Sequence, residues 1–311
     1  MNFLITGASG FVGKNLINHV LDLDTEDKYD LFVPEPFDDE FRSKLEGDSR
    51  FTTLVGDIID YESMTKALSS SDVIIHLAAI SDLPTSMEKP RFSFKVNCEG
   101  TANILEYARD NCRNAFIIVL SSAAIYGKPE YFPIDEKHPR NAVNPYAIQK
   151  QIVEQLCRCY IETFDLKIAI LRPFNLYGPL QDTRFIIPTI IKQCIEKDAV
   201  ALGNPNPIRN FTYIDDFVEC LFLLIKNKEK VIGEVFNTGH PEEVTIKQLS
   251  RLIADLVGKG VDISFEKEKY RPSKLDINKL SCDYSKIKNL IAWEPKKSLK
   301  EGLAETIKFY K

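Results

Sequence analysis

Tyr146 and Lys150, in "NPYAIQK" (144 to 150), stand four residues apart and can do proton chemistry if they share one helical face. Asn144 is a capping residue type, and Pro145 suits a first helical turn, where no N–H is lost and φ is already helical. The helix therefore opens at the tyrosine, and a spacing of four sets both side chains on one face. A free phenol titrates near about 10, and a fixed ammonium beside it favours the phenolate. The pair is a candidate proton donor and acceptor. Alone, such a pair is also what any exposed amphipathic helix carries, so the rest of the chain must decide.

A second group is the glycine run "TGASGFVG" (6 to 13), with Gly7, Gly10 and Gly13 between the apolar "NFLIT" and a helical pattern. Glycine permits a tight turn and close backbone approach, and a helix N-terminus offers N–H groups and a positive dipole end to a pyrophosphate. Between a strand and a helix this spacing reads as a dinucleotide site. An acid after the second strand would take the ribose hydroxyls of NAD. In "DLFVPEPFDDE" Pro34 stands where such an acid might fall, with Glu35 next and Asp38 after it; Glu35 is the residue chosen. No Arg or Lys follows until Arg42, which favours NAD over NADP.

These groups need a scaffold. Short apolar runs at 2–6, 30–33, 51–56, 72–77, 115–121 and 167–172 alternate with helical patterns near 11–22, 61–69, 91–111 and 145–163. Continuous Val/Ile/Leu runs are strands buried on both faces, and strands separated by helices make right-handed βαβ units. The expected fold is α/β, a doubly wound parallel sheet over residues 1–174, with a smaller C-terminal lobe over 175–311. Segment 211–236 is expected to return to the first domain. Pro and Gly become frequent after residue 174, and "IRNFTY" reads as a strand before helices at 214–228 and 245–257. The two lobes are expected to share one cleft.

Composition narrows the function classes. The chain has 311 residues, 44% hydrophobic and 27% charged, which is ordinary for a globular protein with its own core. A net charge of -5, with Lys and Arg scattered, gives no footprint for nucleic acid. Seven cysteines (98, 112, 157, 159, 194, 220, 282) form no C-x-x-C pair and no cluster with His at ligand spacing, so reduced thiols and no metal are expected. The longest apolar stretch, "AFIIVLSSAAIY", is well short of the roughly 18 residues of a membrane span. No signal peptide precedes "MNFLITG", and a soluble cytoplasmic protein is expected.

Taken in order, "TGASGFVG", "GDI" (56 to 58), "HLAA" (76 to 79), "VNCEGTANILEYA" (96 to 108), "LSSAAIYG" (120 to 127), "NPYAIQK", "LRPFNLYGP" (171 to 179), "RNFTYIDD" (209 to 216) and "CDYSKIKNLIAWEP" (282 to 295) resemble the extended short-chain dehydrogenase/reductase family. The resemblance is to its nucleotide-sugar epimerase and dehydratase branch and runs almost end to end. It implies a Rossmann fold and a catalytic set of Ser122, Tyr146 and Lys150, with Ser122 bonding the reacting sugar oxygen and steadying the phenolate. It implies an NAD contour of Gly7, Gly10, Phe11, Val12 and Gly13, with Asp57 and Ile58 at the adenine. Leu77, Ala78 and Ala79 would form the backbone passage beside the cofactor. Pro173 would also touch it, with Asn97 behind the site and His76 as a packed strand residue. For the nucleotide-diphosphate sugar it implies Asn175, Arg209 and Arg271 at the diphosphate, guanidinium forks suiting phosphate oxygens, and Ser86 near the reacting sugar. Asn210 departs from a common Asp, and "GNPNPIRNF" lacks a usual glycine pair, which leaves base and sugar open.

Relatives that remove water or carbon dioxide usually carry acids just after the serine or threonine. Here Ala123 and Ala124 stand there, and a methyl group moves no proton. The reading is therefore a 4-epimerase that takes C4 to the ketone and back. A 4-dehydrogenase or 4-keto-sugar reductase uses the same triad and is the alternative; a non-catalytic dinucleotide-binding regulator or scaffold is the alternative of another class. The helix after Tyr146 repeats Ile148, Ile152, Leu156 and Cys159 beside Val153 and Tyr160, a stripe wider than one sheet face needs. A homodimer through this helix and 91–111, as family members commonly pair, is expected.

Overall fold

A computed structural model describes residues 1–68, 70–269 and 277–311. The apolar runs become strands: β1 (Asn2–Thr6), β2 (Lys28–Val33), β3 (Phe51–Val55), β4 (Val73–His76), β5 (Phe116–Leu120) and β6 (Lys167–Pro173). Beyond them come β7 (Asn175–Tyr177), β8 (Ala199–Leu202), β9 (Ile208–Tyr213), β10 (Val235–Thr238), β11 (Glu243–Thr245) and β12 (Asp262–Phe265). The main sheet has seven strands in the order β10-β6-β5-β4-β1-β2-β3. Its β1·β2, β1·β4, β2·β3, β4·β5 and β5·β6 pairings are parallel. The order reverses at β1, so the C-terminal ends of β1 and β4 form a topological switch point, where open α/β sheets bind ligands. Every residue of β4 is buried while β3, at the sheet edge, has a half-exposed pattern, as position in the sheet dictates.

The helices of the first half are α1 (Phe11–Leu21), α2 (Asp39–Leu45), α3 (Tyr61–Ala67), α4 (Leu83–Glu88), α5 (Pro90–Phe94), α6 (Gly100–Asn111) and α7 (Pro145–Phe164). The expected 91–111 helix is present but carries a π-helical turn, Lys95–Glu99, between α5 and α6. Then come α8 (Ile186–Glu196), α9 (Ile214–Lys226), α10 (Lys228–Val231), α11 (Ile246–Val257), α12 (Ser285–Ile291) and α13 (Leu299–Tyr310). Among the described residues no helix is long and apolar enough to cross a membrane.

Two compact units result. The first holds Met1–Ser122, Pro145–Arg172 and Leu221–Val235; the second holds Ala123–Asn144, Pro173–Cys220 and Phe236–Lys311. The expected 1–174 domain is thus interrupted, since 123–144 belong to the second unit. The cause is local: directly after Ser122 the chain makes a 3-10 turn whose Ile125 and Tyr126 pack with Ile134, Phe174, Leu280 and Cys282. The returning segment begins at Leu221, later than the expected 211. The first unit's core includes Leu4, Ile74, Ile117, Val119 and Ile170 of the sheet with Ile104, Leu105, Val153 and Cys157 of α6 and α7.

Candidate active site

α7 begins at Pro145, so Tyr146 and Lys150 open it as the sequence indicates. Ser122 lies two residues past the end of β5, and its hydroxyl hydrogen-bonds the Tyr146 phenol. Ser121 beside it behaves otherwise: its hydroxyl is buried with no hydrogen-bond partner. Of the two serines, Ser122 is the one joined to the tyrosine.

Lys150 is 5% exposed, donates from Nζ to the Leu120 carbonyl at 2.7 Å, and lies 6.0 Å from the centre of the Tyr146 ring. Burial pushes its pKa down to about 8, against smaller upward pulls from Cys98, Cys157 and Glu154. Burial also raises Tyr146 above its ordinary value, with the Ser122 hydrogen bond as the opposing influence. The expected lowering of the phenol by the ammonium is therefore corrected. Lys150 directs its charge to the Leu120 carbonyl, and the two groups are desolvated together. Glu154, one turn further along α7, is fully buried and bonded to Arg172 of β6 at 2.8 and 2.7 Å.

The glycine turn is built as a cradle. Gly7 has φ +68, and a Cβ there would sit 2.6 Å from the Ala78 nitrogen; at Gly13 it would sit 2.5 Å from the Ala8 carbonyl oxygen. The close approaches thus serve β4's exit and the packing of α1 on its own turn. Gly10 is the N-cap of α1 in extended conformation with no side chain capping it, so Phe11, Val12 and Gly13 head the helix with their amides. Such a cradle fits the pyrophosphate of a dinucleotide. Leu77 N–H donates to the Thr6 carbonyl, and Ala78 to Ala79 continue the passage past Gly7.

Around this cradle the remaining candidates divide. Asp57 is exposed and holds the turn after β3 by accepting from Ile59 N–H at 3.0 Å, while the Ile58 side chain packs into the core against Gly100. Glu35 is exposed just beyond β2. Asp38 caps α2 through Phe41 N–H and takes Lys14 Nζ at 2.6 Å. A cation thus stands beside this acidic stretch after all, supplied by α1 and not by the residues that follow β2. Asn97 is 1% exposed and fully engaged: Ile80 N–H at 2.8 Å, the Ile80 carbonyl at 3.1 Å and Gln149 at 2.7 Å. Its side chain ties the Ile80 backbone to Gln149 of α7.

The substrate candidates fare less evenly. Ser86 is fully buried in α4, its hydroxyl donating to the Leu83 carbonyl at 2.8 Å. In the second unit, Asn175 on β7 donates to the Asn210 carbonyl at 2.9 Å, and Arg209 on β9 donates to the carbonyls of Ile208 and Ile277 at 2.8 and 2.7 Å. Pro173 closes β6 and is half-buried. Arg271 lies outside the described residues. Among the described residues no three His, Cys, Asp or Glu side chains gather as a metal site.

Comparison with known proteins agrees with this fold. The family model of GDP-mannose 4,6 dehydratase matches residues 4–306. UDP-glucuronic acid decarboxylase 1 of Xenopus tropicalis is 30% identical over 319 residues, covering 99% of this chain and 72% of its own. The UDP-glucose 4-epimerase of Thermotoga maritima, solved with UDP-glucose, has a TM-score of 0.89 at 26% identity over 100% of this chain and 98% of that one. The dTDP-glucose 4,6-dehydratase DesIV of Streptomyces venezuelae, solved with NAD bound, has a TM-score of 0.88 at 25% identity over 100% and 97%. The chain belongs to the GDP-mannose 4,6 dehydratase family, among the extended short-chain dehydrogenases/reductases that epimerise, dehydrate or decarboxylate nucleotide sugars.

Proposed function

We propose that this protein is an NAD-dependent nucleotide-diphosphate-sugar 4-epimerase. The observation that carries the reading is the Ser122–Tyr146 hydrogen bond beside Lys150, followed in the chain by Ala123 and Ala124. Gly7, Gly10, Phe11, Val12 and Gly13 would hold the pyrophosphate, with Glu35 and Asp57 toward the adenosine. When bound, NAD supplies a hydride acceptor and donor for the sugar C4. Tyr146 takes the proton of the C4 hydroxyl and returns it. Ser122 holds the sugar oxygen against the phenol, and the Lys150 ammonium favours the phenolate once it turns from Leu120. Alanine at 123 and 124 leaves the dehydratase and decarboxylase steps without a side-chain acid there. Asn175 and Arg209 would meet the diphosphate, as the relative solved with UDP-glucose suggests for the ligand class.

The protein is also proposed to be a homodimer. On α7, Val153, Cys157 and Tyr160 face the core, while Ile148 is 46% exposed, Cys159 is exposed and Ile152 and Leu156 are half-buried. Phe92 and Phe94 are likewise exposed on the neighbouring helical segment. A strictly monomeric mass by light scattering would refute this pairing. All seven cysteines are free, in keeping with a reducing, cytoplasmic setting.

The test of the reaction is stoichiometry. Incubation with UDP-, GDP-, CDP- and dTDP-hexoses in deuterated water, followed by NMR, is expected to give a C4 epimer with no solvent deuterium and no net reduced nicotinamide. Deuterium at C5 or C6 would return the protein to the dehydratases. One reduced nicotinamide formed or used per product would make it a dehydrogenase or reductase. Tighter binding of NADP than NAD would overturn the role given to Glu35.

A further inference from the structure

A line of buried side chains runs between the glycine cradle and α7, and the proton chemistry does not use it. Ala78 N–H donates to Thr6 Oγ1 at 3.3 Å, Thr6 Oγ1 meets His76 Nδ1 at 2.7 Å, and His76 Nε2 meets Thr101 Oγ1 at 3.0 Å. Thr101 donates its hydroxyl to the Asn97 carbonyl at 2.6 Å, and the Asn97 amide donates to Gln149 Oε1 at 2.7 Å. Gln149 precedes Lys150, and its own amide is anchored on Ser93 Oγ at 2.9 Å. Thr6, His76, Thr101, Asn97 and Gln149 are all buried.

The chain has a direction. Thr101 owns one hydroxyl proton and directs it to Asn97, so toward the ring it is an acceptor and His76 Nε2 carries the proton. Nδ1 is then an acceptor, Thr6 donates its hydroxyl to it, and the Thr6 oxygen accepts from Ala78. One tautomer satisfies every member. A proton added at Nδ1 would displace the Thr6 hydroxyl from its acceptor, and burial, with the nearby Lys150 charge, pushes the ring down to about 3. Asn97 itself sits in the π turn Lys95–Glu99; such single turns recur at functional sites, and this one faces Asn97 to the Ile80 backbone and to Gln149 together.

We propose that His76 is a positioning residue: as its Nε2–H tautomer it joins the Thr6–Gly7 start of the cradle and the Ala78 backbone to the Asn97–Gln149 segment beside Lys150, so that the cofactor cradle and the proton-transfer face are set as one piece. The inference rests on the NAD reading above, and its tests separate the two.

Nitrogen-15 NMR of the labelled wild-type protein reads the tautomer without any ligand. The expected result is a protonated Nε2 and bare Nδ1 that do not change on acidification from pH 8 through the ordinary histidine value of 6.5; a protonated Nδ1, or a ring titrating near that value, overturns the proposal. Thr101→Val keeps the shape and removes the acceptor, whereas Thr101→Ser keeps the hydroxyl. The valine variant is expected to bind NAD about tenfold more weakly and to shift the alkaline limb of kcat/KM, with serine restoring both. A valine variant that melts earlier but keeps NAD affinity and pH profile shows a merely structural chain and overturns the proposal. Wild-type protein that binds no NAD defeats the functional reading instead.

Discussion

The two units hold their candidate polar residues in opposite ways. In the first, buried side chains meet one another: Asn97 bonds Gln149 as well as the Ile80 backbone, and His76 bonds Thr6 and Thr101, while Lys150 rests on the Leu120 carbonyl. In the second, Arg209 bonds the carbonyls of Ile208 and Ile277, and Asn175 that of Asn210. A group locked by several buried partners is preorganised and loses little when a transition state forms. A half-buried guanidinium on backbone carbonyls can exchange them for phosphate oxygens, so it contributes to binding. Under the proposed function, the first unit would set the rate and the second the affinity for the sugar nucleotide.

The largest effect that could break this division is at Tyr146. Tyr146→Phe removes one hydroxyl from the Ser122 contact and nothing from the cradle, so turnover is expected to fall on the order of 10²- to 10⁴-fold with NAD affinity unchanged. Steady-state rates beside an NAD titration check it. A variant with near-normal turnover would move the proton chemistry elsewhere.

Lys150 tests what burying a charge costs. Its folded pKa, about 8, lies below the ordinary lysine value of 10.5, so between those values the unfolded chain holds the extra proton. The sign follows: from this group stability rises with pH through that window, and below it the burial penalty is constant. Lys150→Met should abolish activity, raise stability at neutral pH by on the order of 2–3 kcal/mol before the lost Leu120 bond is subtracted, and flatten the slope. Urea midpoints from pH 7 to 10 measure all three. A steeper slope in the variant would show that the ammonium is stabilising where it stands.

How much of this was legible in the sequence follows the same division. The six strands of the first half and the start of α7 were readable because parallel strands buried on both faces are continuous apolar runs, and proline marks the helix start. β7, β8, β11 and β12 are only three or four residues long and belong to small sheets, so no periodicity announces them. The Tyr146–Lys150 pair and the glycine turn stood out by their spacing, and Ser122 only through the resemblance to the family. The Lys14–Asp38 pair, the Leu120 carbonyl under Lys150 and the Gln149–Asn97 bond were not, because each joins residues 24 to 52 apart whose types are ordinary. The phenol's raised pKa was invisible for the same reason: spacing sets Lys150 near Tyr146 but does not say where the ammonium points.

Arg209 offers the sharper test of the second unit. Arg209→Lys keeps the charge and loses the planar fork, so KM for the nucleotide sugar should rise about tenfold while kcat and NAD affinity change little. Its present bonds go to the backbone carbonyls of the adjacent Ile208 and the distant Ile277, where water can partly replace it. A fall in kcat with KM unchanged would mean that this arginine acts in the transition state, and the assignment of affinity to the second unit would fail.

The smallest expected effect is at Ser86, and it separates motif from placement. Resemblance sets this serine beside the sugar, but it is fully buried in α4 with its hydroxyl donated to Leu83 one turn back. Ser86→Ala loses that one hydrogen bond, worth roughly 0.5–1.5 kcal/mol, and regains part of it because alanine is the better helix former. It removes nothing that faces solvent. KM and kcat are therefore expected to stay within about twofold and the melting temperature to move by only a few degrees. A rise in KM of tenfold or more with an unchanged melting temperature would show that α4 turns this hydroxyl outward when substrate is present. The first unit would then also contribute adaptable contacts, and the division between a preformed chemical site and an exchanging grip would no longer follow the two units.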